Sequence, residues 1–430
     1  MSFRGKLSVL LISGAIALYA VVGGLPLVGS LLNANAQQAG NDKQSQLRLL
    51  DAVLQHIQND YVDDPDMSKV RLGALRGLPA GLDPYSSYLT PEQVKEYRAG
   101  PSEGKVGIGA EFSQVSGFLY VVSVVKGGPA DKAGIKAGDV IEYIDGKASR
   151  DVSLYDAVQI VLGKPDTQVA LRVLRSTEKP QTIKVTRGSY TIPKAESRIE
   201  AGKIGVVKVF SLEEGESADI RSNIESLKKQ GVEKIILDLR GVAGGKLDEG
   251  AAVANLFIKD GVLATIQGQE GKVLKSYSAD PAKTIFDGEA AVLVNLSTAG
   301  AAEAVAAAFN EKKRGEVIGE RTFGAGTEQQ LFTLKSGDGL LLTVARWASG
   351  DGKPFLGENK DSMGIKPSIE VKRTDIPEPL DPSTLVENPT DPNATPTPTP
   401  TPKAAASDED IQLKKALEVL SGKAQAAKAG

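Results

Sequence analysis

The chain has 430 residues, 41% hydrophobic and 24% charged, enough for two or three domains with their own cores. Its net charge of −3 lacks the basic surplus that marks nucleic-acid binding, and no nucleic-acid partner is expected. Cysteine is absent and His56 is the single histidine, which excludes disulfides, thiolate sites, a cysteine nucleophile and a histidine-rich zinc site; no metal or cofactor is expected.

Arg4 and Lys6 precede an uncharged run over residues 7–32, longer than the roughly 20 residues that a bilayer requires. Gly23, Gly24, Pro26 and Gly29 interrupt its second half, and Ala34-Asn35-Ala36 has the small-x-small pattern of a cleavage site. Residues 1–36 are therefore predicted to be a signal peptide or an uncleaved membrane anchor. Either one places the rest of the chain in the periplasm or cell envelope, because the positive charges stay on the cytoplasmic side. The anchor would make the inner membrane a partner.

Residues 43–100 read as a helical N-terminal segment. Leu47, Leu50, Val53, Leu54 and Ile57 recur at helical spacing. His56 lies among them, where a lone histidine is more often a surface or packing residue than a catalyst. The stretch from Asp83 to Pro91 reads as a turn followed by a helix start. Thr90 then reads as a helix cap, with Pro91 at the first helical position and Glu92 and Gln93 in the first turn.

Residues 103–188 change to short strands and glycine turns. Gly107-Ile108-Gly109-Ala110 leads into a strand, 119–125 is β-branched and apolar, and Asp145-Gly146 marks a turn. A short helix over 153–162 carries Leu154, Ala157, Val158 and Val161 on one face, and strands follow near 169–174 and 182–186. This is a compact α+β module.

Residues 191–372 alternate strands and helices, an α/β core. Ile235-Ile236-Leu237-Asp238-Leu239 reads as a strand buried on both faces, as does 290–296. Helices are predicted over 247–258 and 299–313, and a further strand over 340–347. Residues 373–406 read as a Pro/Thr-rich linker, alternating Thr and Pro over 395–402. Residues 407–430 read as a C-terminal helix, with Leu413, Ala416, Leu417 and Leu420 as the stripe by which it docks on the body or on a second chain. Two weaker signals carry little. Gly241-x-x-Gly-Gly-Lys246 has the wrong spacing for a phosphate loop, and Glu213-Glu214-Gly215-Glu216 suits a solvated helix start.

Taken in order, Asp83–Pro91, the 106–112 loop, Gly134–Ile141, Leu237-Asp238-Leu239-Arg240 with Gly244-Gly245, Val294–Glu303 and Thr322-Phe323-Gly324 resemble the C-terminal processing peptidases, also called tail-specific proteases. The match runs over nearly all of 43–421. The resemblance implies a PDZ domain at 103–188, which binds chain ends by adding the peptide as a strand. Gly107, Ile108, Gly109 and Ala110 would hold the terminal carboxylate, and Leu154 and Val158 would line the pocket for the last side chain. The plainer reading of these glycines is a tight turn.

The resemblance also implies a serine-lysine site. The family's serine position falls on Gly300 and its lysine position, after Phe323-Gly324, on Ala325. The glutamine that orients the lysine is retained as Gln329. Gly244 and Gly245 keep the glycine pair for an oxyanion hole, whereas Gly241-Val242-Ala243 departs from the family's usual Asn-Asn-Pro. Neither a hydroxyl nor a base stands at the two positions, so the expected protein is a pseudopeptidase. It would bind C-terminal tails or unfolded protein as a scaffold or regulator, by self-association or by assembly with an active homologue. Two alternatives stay open: an active endopeptidase using Ser297 or Thr298, and a purely structural envelope protein with an empty groove.

Overall fold

The computed structural model describes residues 43–100, 104–358, 362–373, 379–385 and 409–422. The apolar run over 7–32 and the Thr-Pro tract over 395–402 lie outside them. No helix among the described residues is long and apolar enough to cross a membrane. The chain divides into two units, Met1–Leu75 and Arg76–Gly430.

The first helix, α1, covers Lys43–Asp60. Its apolar spacing is as the sequence predicts, yet Leu47, Leu50 and Val53 are exposed. The helix α2 covers Met67–Ala80 and starts at Asp66, whose carboxylate accepts the amides of Ser68 and Lys69.

The second unit opens with an aspartate turn. Asp83 accepts the amides of Tyr85 and Ser86 at 2.8 and 2.9 Å, which swings the chain into a short strand, β1 (Ser87–Leu89). Those three residues, read from sequence as part of a turn, pair antiparallel with the distant strand Gly339–Ser349. The helix α3 (Pro91–Ala99) follows, closed by a reciprocal capping box between Thr90 and Gln93.

The PDZ module contains β2 (Ala110–Val115), β3 (Phe118–Val124), α4 (Pro129–Ala133), β4 (Val140–Ile144), β5 (Lys147–Ala148), α5 (Leu154–Val161), β6 (Gln168–Arg175) and β7 (Glu178–Thr186). Its antiparallel sheet runs β2-β3-β4-β6-β7, so among the described residues β2 is a free edge. Ser153 caps α5 by accepting the Asp156 amide at 3.1 Å. The helix packs Leu154, Ala157 and Val161 onto Ile108, Phe112, Leu119 and the inner residues of β6.

The core begins with β8 (Glu196–Glu200), β9 (Ile204–Lys208), α6 (Glu216–Lys229), β10 (Lys234–Asp238) and α7 (Leu247–Asn255). It continues through β11 (Val262–Gln267), β12 (Val273–Ser278), β13 (Glu289–Val294), α8 (Ala301–Glu311) and β14 (Glu316–Gly319), then β15 (Thr327–Thr333), β16 (Gly339–Ser349) and β17 (Ile369–Glu370). One sheet runs β17-β14-β13-β10-β9-β8, parallel except for β8. A second, antiparallel sheet runs β1-β16-β11-β12, with β15 also on β16.

The continuous apolar character of β10 now has its reason. Ile235 and Leu237 face the helical layer, while Ile236 faces Ala416 and Leu420 of the last helix, α9 (Ile411–Leu420). The stripe that left two docking partners open thus packs on this chain's own sheet. Residues 379–385 also depart from the reading as plain linker. Pro379 lies against Gly138, Leu380 joins an apolar cluster on the outer face of the PDZ sheet, and a short turn covers Pro382–Leu385. This strap has a linker's composition, but Pro379, Leu380 and Pro382 find a surface to cover, while Leu385 stays exposed.

Candidate functional site

The turn from β13 into α8 is fastened before it reaches the helix. Asn295 Oδ1 accepts the amides of Gly241 and Ser297, both at 3.1 Å, and Thr298 Oγ1 donates to the Leu239 carbonyl at 3.0 Å. Gly300 then adopts φ 62°, ψ −120°, a sharp conformation that L side chains rarely take. A side chain at this position would start 3.2 Å from the Gly244 carbonyl oxygen and 3.6 Å from the Trp347 ring. It would therefore point at the glycine loop, the geometry expected of a strand-to-helix elbow.

Glu303, in the first turn of α8, is wholly buried and joins the two carried-over positions. Its Oε2 accepts the Gly300 amide at 2.9 Å and the Ala325 amide at 2.8 Å. Its Oε1 accepts the Gly324 amide at 2.8 Å and the Thr322 hydroxyl. Burial pushes the carboxyl up to about 7, with the four donors pulling the other way. Residues 25 apart in sequence are thus held on one carboxylate. The sequence contains the signal, an acid at the third helical position, but only the fold shows that it also gathers the 322–325 loop.

Ala325 packs into the apolar cluster formed by Phe118, Tyr120 and Val122 of the PDZ sheet with Ala299 and Phe323 of the core. Gln329 lies on β15 opposite Thr343, and its amide donates to Thr327 Oγ1 at 2.6 Å and Thr343 Oγ1 at 3.3 Å. The structure thus brings Gly300 and Ala325 together and fastens Gln329 to neighbouring threonines. Gly244 and Gly245 both have left-handed backbones. At Gly245 a Cβ would lie 2.6 Å from the Leu212 carbonyl, so no larger residue fits without moving the backbone. The loop they form wraps the elbow: Ala299 N donates to Val242 O at 2.9 Å and Ala301 N to Gly244 O at 3.3 Å.

In the PDZ loop the carbonyls of Gly107, Ile108 and Gly109 accept the amides of Gly188, Ala130 and Val125. These bonds fix the loop just ahead of the free edge of β2, where Ala110 begins the strand. Leu154 is mostly taken up by the module's core, and Val158 is half-buried beside it. Glu111, unremarked in the sequence, stands on β2 with its carboxyl carbon 3.9 Å from where a Gly244 side chain would start. It links the groove to the glycine loop. His56 is exposed on α1, 2.6 Å from Asp60.

A polar cavity of about 570 Å³ lies between the PDZ module and the ends of the parallel strands. Ser297, 8% exposed, lines it together with Lys208, Asp238 and Arg240. Lys208 Nζ donates to the Arg240 carbonyl at 2.5 Å and lies 3.3 Å from Asp238, and burial holds its pKa below the usual lysine value.

A family model described as peptidase family S41 matches residues 203–371, and one described as a PDZ domain matches 120–175. The carboxy-terminal processing protease CtpA of Bacillus subtilis (strain 168) is 33% identical over 343 residues, covering 79% of this chain and 72% of its own. A probable CtpA-like serine protease of Staphylococcus aureus (strain COL) is also 33% identical over 343 residues, covering 79% of this chain and 68% of its own. Among solved structures, a photosystem II D1 C-terminal processing protease is similar with a TM-score of 0.63 and 29% identity, over 77% of this chain and 94% of that one.

Proposed function

Because this chain belongs to peptidase family S41, among its PDZ-containing carboxy-terminal processing proteases, we propose that it is an exported member that binds C-terminal tails without cutting them. Serine-lysine hydrolysis needs a hydroxyl to attack and a neutral amine to take its proton. The observation that carries the reading is the identity of the two residues on the Glu303 carboxylate, Gly300 and Ala325. Neither side chain can attack or accept a proton. Loss of the nucleophile alone costs roughly 10⁶ in turnover in a serine protease. The protein then acts as a scaffold or as a regulator of an active relative. Export rests on the basic start, the apolar run over 7–32 and the Ala34-Asn35-Ala36 site.

The test compares purified residues 37–430 with the Gly300→Ser, Ala325→Lys double variant on an unfolded protein that has an apolar C-terminus. The natural form is expected to leave it intact while binding a tail peptide. Cleavage well above the buffer rate by the natural form overturns the reading.

One observation favours a second reading, an active endopeptidase. Ser297 and Lys208 line the same cavity, and the lysine's pKa is lowered. Against it, Asp238 and the Arg240 carbonyl hold the lysine's protons. A serine-directed covalent probe that labels Ser297 would establish it.

A further inference from the structure

We propose that Glu111 makes the groove selective by charge, favouring tails that carry a lysine or arginine close to their last residue. This rests on the tail-binding reading above and names the kind of tail.

Among the described residues β2 pairs with β3 alone, which leaves its outer edge free. Strand geometry puts successive side chains on opposite faces, although the pairing with β3 shifts register between Glu111 and Phe112 and Ser113 is buried as well. Phe112 is buried in the module's core, and Glu111 stands on the opposite face, exposed. A peptide added to the edge alternates in the same way, so every second side chain of the tail stands on the Glu111 face. Directly opposite Cβ atoms in such a pair lie about 4.5–5.5 Å apart. Glu111 comes immediately after Gly107-Ile108-Gly109-Ala110, the loop that would receive the terminal carboxylate. The tail residue that meets it therefore lies within the last few positions.

What faces Glu111 makes the preference one-sided. Its carboxyl carbon approaches Gly244, which offers no side chain. The charge that acts on it is that of Glu213, another acid. Among the described residues no cation pairs with Glu111; Lys246, next along the glycine loop, is held by Glu214 at 2.6 Å. Desolvation of the carboxyl by its surroundings, and then the like charge of Glu213, push it up to about 7. That is how an uncompensated charge behaves. A cationic side chain from the tail would supply the missing partner, and an acidic one would add a third like charge.

The experiment measures fluorescence anisotropy of labelled peptides on the full chain at pH 8 and low salt. All peptides share one apolar last residue. Lysine, glutamine or glutamate is placed in turn at each of the preceding three positions. Lysine is expected to bind about tenfold tighter than glutamate, with glutamine between, and the effect is expected at alternate positions. Glu111→Gln should abolish the ranking, and Glu111→Lys should reverse it. Peptides that bind without a charge ranking, or with one that survives Glu111→Gln, overturn the proposal while leaving tail binding intact. If no peptide binds at any charge, tail binding itself fails and the proposal with it.

Discussion

Tyr120 of the PDZ sheet stacks on Phe323 of the core, ring centroids 5.8 Å apart and planes 21° from parallel. The contact sits two residues before Ala325, so the module is seated on the loop that carries the family's lysine position. Leu380 of the strap joins the same cluster from outside. Replacing Leu380 with aspartate puts an unpaired charge among these apolar groups. Amide hydrogen exchange in 118–124 and 322–326 is expected to rise together. Unchanged protection in both segments would mean that the strap does not hold the module.

Gly300 predicts a cost for restoring the nucleophile. A serine there must accept a positive φ, and its Cβ must displace the Gly244 carbonyl by a few tenths of an ångström. Gly300→Ser is expected to lose about 1–3 kcal/mol in urea unfolding. A variant as stable as the parent would show that the elbow relaxes freely.

Glu303 predicts a pH slope. Its folded pKa lies near 7, above its ordinary value of 4.5, so the folded state holds the proton more tightly than the unfolded chain. The stability this gives is fully present below about 4.5 and is lost as pH rises toward 7. Urea midpoints between pH 4.5 and 7 should fall more for the parent than for Glu303→Gln. The opposite difference would mean that the four donors outweigh burial.

Asp410 predicts coupling between the end of the chain and the glycine loop. It accepts Arg240 Nη1 and Nη2, both at 2.8 Å, and caps α9 through the Leu413 amide at 3.0 Å. Asp410→Ala should cost about 1–2 kcal/mol and raise exchange in 411–420. Asp410→Asn keeps the cap and should cost less.

Much of this was legible in the residues themselves. The Thr90 cap, the β10 strand and the Ser153 helix follow from local patterns that the fold leaves undisturbed. Other features depend on distant partners. β1 is only three residues long, too short to show a period, and exists because β16 offers an edge. The strap has a linker's composition and is ordered by a surface that lies more than two hundred residues earlier in the chain. Glu111 reads as one charged residue in a strand until Gly244 is placed opposite it. The apolar stripe of α1 shows the converse, a pattern whose Leu47, Leu50 and Val53 stay exposed.

The strap also sets an order of events during synthesis. The last strand of the PDZ module ends at Thr186; Ala243, Ala299, Phe323 and Ala325 of the core supply part of the cover on its outer face, and the strap residues that complete it come about 200 positions later. At 5–20 residues per second the ribosome takes roughly 10–40 s to deliver them. Until the core and then the strap emerge, Phe118, Tyr120 and Val122 stay incompletely covered on a finished domain, just when the nascent chain is most open to holdases and to sticking to its neighbours.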